Sequence, residues 1–308
     1  MISSSFRCLL LLLLFSSHFL TAKQCSNPPY LADFVPSIHR YGIDVGIYNH
    51  YVRTPHSQSG KLLKLTETLY NNNLTPIYPA LSIPKVVHQI WLGSPVPKKF
   101  EKIMKTWMKW HGWEYKLWTE AEVAKITLVN PGIYQKVKNL GAKSDILRYE
   151  ILYQFGGVYV DTDFECFCPA FFDWAAEQYD FFAGIETLKG CPKLHICNAL
   201  IGSKPGHPLL QRMLQELQNL KESMSLGDII NATGPGFLSK QFLEYYDSCH
   251  EDTIDIVFTP TYFYPITKAE FKLKQKEQNK LIRDETVALH YWSGEWLKGL
   301  SFFDQVDE

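Results

Sequence analysis

The sequence has no excess of either charge: 31 Lys and Arg stand against 32 Asp and Glu, a formal net charge of -1. A surface that neutralises a phosphate backbone is not indicated, so no nucleic-acid partner is expected. There is also no apolar run of the roughly 20 residues that cross a bilayer. The longest run, from Cys8 to Phe15, follows Arg7 and gives way to small and polar residues ending at Ala22. Residues 1–22 therefore read as a secretory signal, either cleaved or retained as an anchor that ties the N-terminus to a membrane. Paired two-residue cysteine gaps are absent, and neither Cys166-Phe-Cys168 nor Cys191 to Cys197 has the spacing of a structural zinc site. Without Cys8, the set Cys25, Cys166, Cys168, Cys191, Cys197 and Cys249 is even, which suits one or more disulfides in an exported chain. No internal repeat or low-complexity tract appears.

What is present begins with a change of character near residue 80. From Lys23 to about Pro79 only Lys61 to Tyr70 shows helical spacing, and residues 23–80 read as a stem or peripheral extension. Asn73-Leu-Thr75 here, and Asn231-Ala-Thr233 further on, fit the glycosylation acceptor pattern. Ile83 to Gly93 (IPKVVHQIWLG) is a Pro-led apolar run of strand length, so a catalytic domain is expected over 81–308. Phe100 to Trp110 has helical spacing, and Glu114 to Trp118 (EYKLW) is strand-like. This alternation predicts an α/β domain with a largely parallel sheet. His207 to Leu220 reads as a helix, Ala232 to Gly236 as a tight loop and Val257 to Tyr264 as strand and turn.

The chemistry gathers around residues 143–164. Lys143 to Phe155 is a mostly apolar helix with Ser144 as its N-cap, and Gly156-Gly157 stops it because glycine tolerates positive φ. Val158-Tyr159-Val160 then forms a strand, with Asp161 at its end and Asp163 two residues on. At a turn, two such carboxylates can reach one divalent cation or its ligand shell. Mg²⁺ or Mn²⁺ held there suits a diphosphate whose charge grows as a glycosidic bond breaks. Asp145 and Arg148, three apart, share one face of the helix, either as a structural ion pair or as groups for sugar hydroxyls and phosphate oxygens.

The run Ala142 to Phe164 (AKSDILRYEILYQFGGVYVDTDF), with Ile83 to Gly93, resembles the glycosyltransferases that carry a sugar-binding DXD motif. That family includes the yeast initiating α-1,6-mannosyltransferase and the inositolphosphoceramide mannosyltransferases, and the large clostridial glucosylating toxins are similar in the same segments. The resemblance covers about Ile83 to Trp296. It implies a GT-A fold, which is Rossmann-like and binds a nucleotide sugar, Mn²⁺ or Mg²⁺ as cofactor, and retention at the anomeric carbon. It also implies roles: Trp91 at the nucleotide base, Asp145 and Arg148 at the donor sugar, and Asp161 at the ribose and metal shell. Asp163 is implied as the metal ligand with His290, in LHYWSGEW, as its distant partner. Asn198 borders the sugar, Thr233 to Gly236 closes the pocket, and Trp292 and Trp296 either cap the diphosphate or seal the core, Trp296 being the one taken for the donor site. The segment Glu165-Cys-Phe-Cys168 has no match in the family.

The implied donor is GDP-mannose or a UDP-linked hexose, and the acceptor a glycan, glycolipid or protein. Such a donor is met in a Golgi-type compartment or, by an exported microbial protein, inside a host cell. A metal-dependent phosphoester hydrolase and a non-catalytic sugar-nucleotide-binding effector are the alternatives that the same acids allow.

Overall fold

The computed structural model describes residues 31–39, 43–75, 83–186, 193–218, 220, 226–248 and 253–294. The signal segment 1–22, Trp296, Cys25, Cys191 and Cys249 lie outside them. Six strands form the central sheet: β1 (Val86–Ile90), β2 (Glu114–Trp118), β3 (Gly157–Val160), β5 (Phe181–Ile185), β6 (Ile196–Ser203) and β7 (Asp255–Phe258). Their order is β2-β1-β3-β6-β5-β7, and β6 runs antiparallel to both its neighbours while the other pairings are parallel. Strands β4 (Phe164–Cys166) and β8 (Ala288–His290) make a separate antiparallel pair. The α/β class and the largely parallel sheet expected from the sequence hold, with β1 and Glu114–Trp118 where the patterning puts them.

Strands β3, β5, β6 and β7 are buried along their whole length. Helices on both faces account for this, and it explains why their sequences run apolar without alternating. Helix Leu140–Phe155 starts earlier than its apolar spacing predicts. Its N-cap is Asn139, whose side chain accepts from the Ala142 N–H at 3.0 Å. Ser144 sits a turn inside, where its carbonyl accepts from Arg148 Nε at 3.3 Å. The two glycines that end the helix have φ of 64° and 96°. A Cβ on Gly157 would lie 2.6 Å from the Val86 carbonyl oxygen, so β3 can approach β1 only if that residue is glycine.

Three other expectations are revised. The helix predicted over Phe100 to Trp110 is shorter, Lys98–Met104, because Trp107 and Trp110 turn inward to pack on Phe172. The tight loop at Ala232 to Gly236 is narrower: helix Leu226–Ala232 ends there, and helix Pro235–Ser248 begins after two intervening residues. After β7 the turn is helical, Pro260–Phe263. The segment read as a stem is, over its described part, helical: Phe34–Ile38, Ile43–Arg53 and Gln58–Asn73. The last of these packs on β7 and gives Leu62, Leu63 and Tyr70 to the common core, with Tyr70 Oη bonded to the Ala32 carbonyl and at 2.9 Å from Tyr262 Oη. Asn73 Nδ2 donates to the Asp255 carbonyl at 2.8 Å, so the nitrogen of that acceptor pattern is already engaged.

Cys168 is disulfide-bonded, whereas Cys166 and Cys197 are buried free thiols, so the even set does not pair throughout. Among the described residues no helix is long and apolar enough to cross a membrane.

Candidate active site

The two acids owe their common direction to a turn. Asp161, next after β3, donates its N–H to the Ala199 carbonyl of β6 at 2.8 Å, and its own carbonyl accepts from Phe164 N–H at 3.2 Å. Gln89 Nε2, from β1, donates to the same carbonyl at 3.1 Å. Chain reversal over Asp161 to Phe164 replaces the opposite-facing geometry of a strand and starts β4. Strand β4 then pairs with β8 in the register Phe164 with His290, which carries the imidazole to the acids across 127 positions of sequence. Among the described residues, Asp161, Asp163 and His290 form a group whose donor atoms lie within 4.8 Å of one another.

Asp163 is buried, with Oδ1 3.1 Å from His290 Nε2 and Oδ2 accepting from Ser293 N–H at 2.7 Å. Burial alone would raise its carboxyl, but the charge and hydrogen bond of His290 and the Ser293 amide hold it down at about 2. Burial likewise opposes a charge on His290, and the Asp163 carboxylate beside it raises its pKa above the ordinary value. The ring stacks on Phe164 at 4.9 Å between centroids, and its buried Nδ1 has no hydrogen-bond partner among the described residues. Two carboxylates and an imidazole are a donor set that fits Mn²⁺ or Mg²⁺.

Arg148 ties the helix to the acids. Its Nη1 lies 3.1 Å from Asp161 Oδ1 and donates to the Asn198 carbonyl at 2.7 Å, its Nη2 lies 3.1 Å from Asp145 Oδ1, and the guanidinium sits over the Tyr159 ring at 4.4 Å. Burial works against this charge, but Tyr159, Asp161 and Asp145 together raise its pKa. Tyr159 Oη donates to Asp161 Oδ1 at 2.6 Å, leaving that half-exposed carboxylate oriented from two sides.

A cleft of about 460 Å³ opens over these groups. Trp91, Arg148, Asp161, Asp163, Asn198 and His290 all line it. Trp91 follows β1 at the far wall, partly exposed, with Nε1 donating to Ser94 Oγ at 3.2 Å and its ring 5.2 Å from Phe100. Asp145 is expected at the sugar but does not line the cleft. It stands behind Arg148 and Asn198, accepting from Asn198 Nδ2 at 2.8 Å and Thr233 Oγ1 at 2.9 Å. Burial pushes its carboxyl up, against the pull of Arg148 and these two donors. Tyr149 extends the network, receiving Asn198 Nδ2 at 3.0 Å and donating to the Thr233 carbonyl at 2.7 Å. Trp296 lies outside the described residues, whereas Trp292, the other ring considered for the diphosphate, lines the cleft at a positive φ of 53°.

Sequence reasoning missed Tyr149 and Tyr159, which read as helix and strand filling, and Glu186, which also lines the cleft. For the tyrosines the usable signal was their place beside Asp145, Arg148 and Asp161, since a buried Tyr hydroxyl needs a partner.

Residues 97–181 match the family model described as glycosyltransferase sugar-binding region containing DXD motif. The chain is similar to inositol phosphoceramide mannosyltransferase 1 of Schizosaccharomyces pombe, 28% identical over 180 residues that cover 55% of this chain and 54% of that one. It is also similar to the initiation-specific alpha-1,6-mannosyltransferase of Candida albicans, 25% identical over 209 residues, 54% of each chain. The chain thus spans about half the length of these curated relatives. A solved structure, a PaToxG glycosyltransferase, superposes with a TM-score of 0.42 and 15% identity over 63% of this chain and 80% of that one, too distantly to carry an argument. The matched region contains Asp145, Arg148, Asp161 and Asp163, so over these residues the chain is similar to the glycosyltransferases with a sugar-binding DXD motif that its sequence resembles.

Proposed function

We propose that this chain is a metal-dependent, retaining glycosyltransferase that moves a hexose from a nucleotide-diphosphate donor to an acceptor hydroxyl. The observation that carries this reading is the convergence of Asp161, Asp163 and His290 on the floor of a cleft that Arg148, Asn198 and Trp91 also line. Asp163 and His290, with Asp161 beside them, would hold Mn²⁺ or Mg²⁺. Bound there, the ion supplies Lewis acidity toward the charge that develops on the departing diphosphate.

The protein's own groups bind and orient. Trp91, exposed on one side at the end of β1, offers a face on which the base stacks. Arg148 is held by five partners and keeps its charge, so it neutralises phosphate or sugar oxygens without having to rearrange. Asn198, fixed by Asp145 and Tyr149, borders the sugar. Asp145 is committed to three donors and turned from the cleft, which leaves it unsuited to attack an anomeric carbon. With no covalent carboxylate intermediate, retention has the acceptor oxygen bond to that carbon on the face from which the phosphate leaves, as the carbon–phosphate oxygen bond breaks. The hydroxyl proton passes to the departing phosphate oxygen.

The names of the relatives make GDP-mannose the first donor to try and a lipid or glycan hydroxyl the first acceptor. The test is a screen of GDP- and UDP-hexoses with Mn²⁺, read as donor hydrolysis and transfer. Asp163→Ala should lose about 10²-fold or more in turnover, the scale of a lost electrostatic stabiliser, while its circular dichroism stays that of the parent. A fully active, folded Asp163→Ala chain would sink the proposal.

A further inference from the structure

The cleft holds a carboxylate to which the mechanism above gives no task. Glu186 follows β5 and lines the cleft, and its N–H donates to the His195 carbonyl at 2.9 Å, which continues the β5–β6 pairing by one residue. The His195 Nδ1 lies 3.6 Å from its Oε2, beyond hydrogen-bond length. Among the described residues no hydrogen bond to the Glu186 carboxylate is made. Its side chain is 22% exposed and borders the cleft. A carboxylate that borders a cleft and accepts no hydrogen bond from the described residues can be satisfied by a donor that enters the cleft.

Strand order says where along the cleft that donor would lie. At one edge of the sheet, β1 ends before Trp91, β3 before Asp161 and β5 before Glu186, and antiparallel β6 brings Asn198 to the same edge. The order β1, β3, β6, β5 thus sets out Trp91, Asp161, Asn198 and Glu186 as a row. With strands about 4.8 Å apart, the Glu186 backbone stands roughly 10 Å from that of Asp161 and roughly 15 Å from that of Trp91. A nucleotide sugar with its base at Trp91 and its diphosphate at Asp161 and Asp163 presents the hexose at Asn198, and the ring edge remote from the phosphate at Glu186.

We infer that Glu186 determines donor-sugar specificity, its carboxylate accepting hydrogen bonds from hexose hydroxyls on the side away from the diphosphate. Two oxygens can take two neighbouring hydroxyls at once, which distinguishes stereoisomers that present them differently. The inference rests on the glycosyltransferase reading.

The test uses the full chain with Mn²⁺ and compares Glu186→Ala and Glu186→Gln with the parent. Binding of the nucleoside diphosphate alone and of the intact donor is measured by calorimetry, and hydrolysis and transfer are followed with the donor and its monodeoxy analogues. The alanine variant should bind the nucleoside diphosphate as the parent does, yet lose about 10- to 100-fold in kcat/KM for the intact donor. The parent should reject one monodeoxy donor by a similar factor and the variant should not, while the glutamine variant, which keeps one acceptor oxygen, falls between. An alanine variant that uses every donor like the parent overturns the inference. So does one that hydrolyses donor normally and fails only in transfer, because that assigns the carboxylate to the acceptor. A parent that binds nucleoside diphosphate and Mn²⁺ but turns over no sugar nucleotide overturns the underlying reading as well, and is told apart by the parent arm alone.

Discussion

Asp145→Asn should loosen the site by weakening what holds it from behind. The carboxylate accepts from Asn198 Nδ2 at 2.8 Å and from Thr233 Oγ1 at 2.9 Å, and lies 3.1 Å from Arg148 Nη2. The amide conserves volume and one oxygen, and places an NH₂ where the other oxygen was. Arg148 can only donate and Asn198 presents its Nδ2 to this group and to Tyr149, so the NH₂ turns to Thr233, whose hydroxyl can reverse and accept. What disappears is the negative charge facing Arg148. Hydrogen bonds to charged groups contribute about 1.5–3 kcal/mol, and removing one member of a buried pair costs about 3–5 kcal/mol. Arg148 keeps Asp161 at 3.1 Å and the Asn198 carbonyl at 2.7 Å, which places the loss near the lower figure. A destabilisation of about 2 kcal/mol corresponds to a fall in Tm of roughly 4–8 °C. Calorimetric unfolding without metal measures it, and turnover of the donor found in the screen should fall about tenfold as Arg148 and Asn198 lose their common anchor. An unchanged Tm with a thousandfold loss of turnover would refute the reasoning, because the carboxylate would then be meeting substrate directly.

Two further outcomes follow from the geometry. In metal-free protein, Asp163 is held at about 2, below its ordinary 3.8, so its contribution is present above pH 4 and is lost as pH falls through about 2. His290, raised above 6.5, contributes fully below that value and loses its share as pH rises through its folded pKa. Denaturation in chelator should therefore show Asp163→Asn costing about 2 kcal/mol at pH 5 and clearly less at pH 9, and an equal cost at both would rule out the ion pair as the cause. Gly157→Ala adds a Cβ 2.6 Å from a backbone oxygen at φ of 96°, whereas Gly112→Ala, at φ of 76°, meets nothing within 4 Å. The first should cost several times the roughly 1 kcal/mol of the second in urea unfolding, and similar values would show that the β1–β3 contact yields easily.

The helix, glycine stop and acid-bearing strand were legible because each depends on neighbours in sequence: apolar spacing, two residues with positive φ, and a β-branched run. His290 came only through resemblance, since its place beside Asp163 depends on a strand pair that joins Phe164 to His290, and no local pattern announces such a pairing. Strand β6 (ICNALIGS) is buried on both faces and contains an asparagine and a glycine, so neither alternation nor propensity marks it, and Glu186 was lost with the strand beside it. Asp145 was singled out correctly as unusual, but its spacing to Arg148 could not tell a group that faces the cavity from one that braces its wall. Helix Gln58–Asn73 shows helical spacing from Lys61, yet its partner β7 lies far along the chain, and without that partner it reads as an appendage.

The β4–β8 pair bears on how the cleft comes into being. Three-residue strands gain little by themselves, and these close a very long loop, so their pairing follows the docking of the larger sheet. On a ribosome, Asp161 and Asp163 are in place well before the segment with His290 and Ser293 has emerged. Until then Asp163 has neither the imidazole nor the amide that keep it ionised in a dry setting. Assembly of the acidic centre is thereby deferred to the close of folding, and occupancy of that centre by Mn²⁺ would report on chains that have finished it.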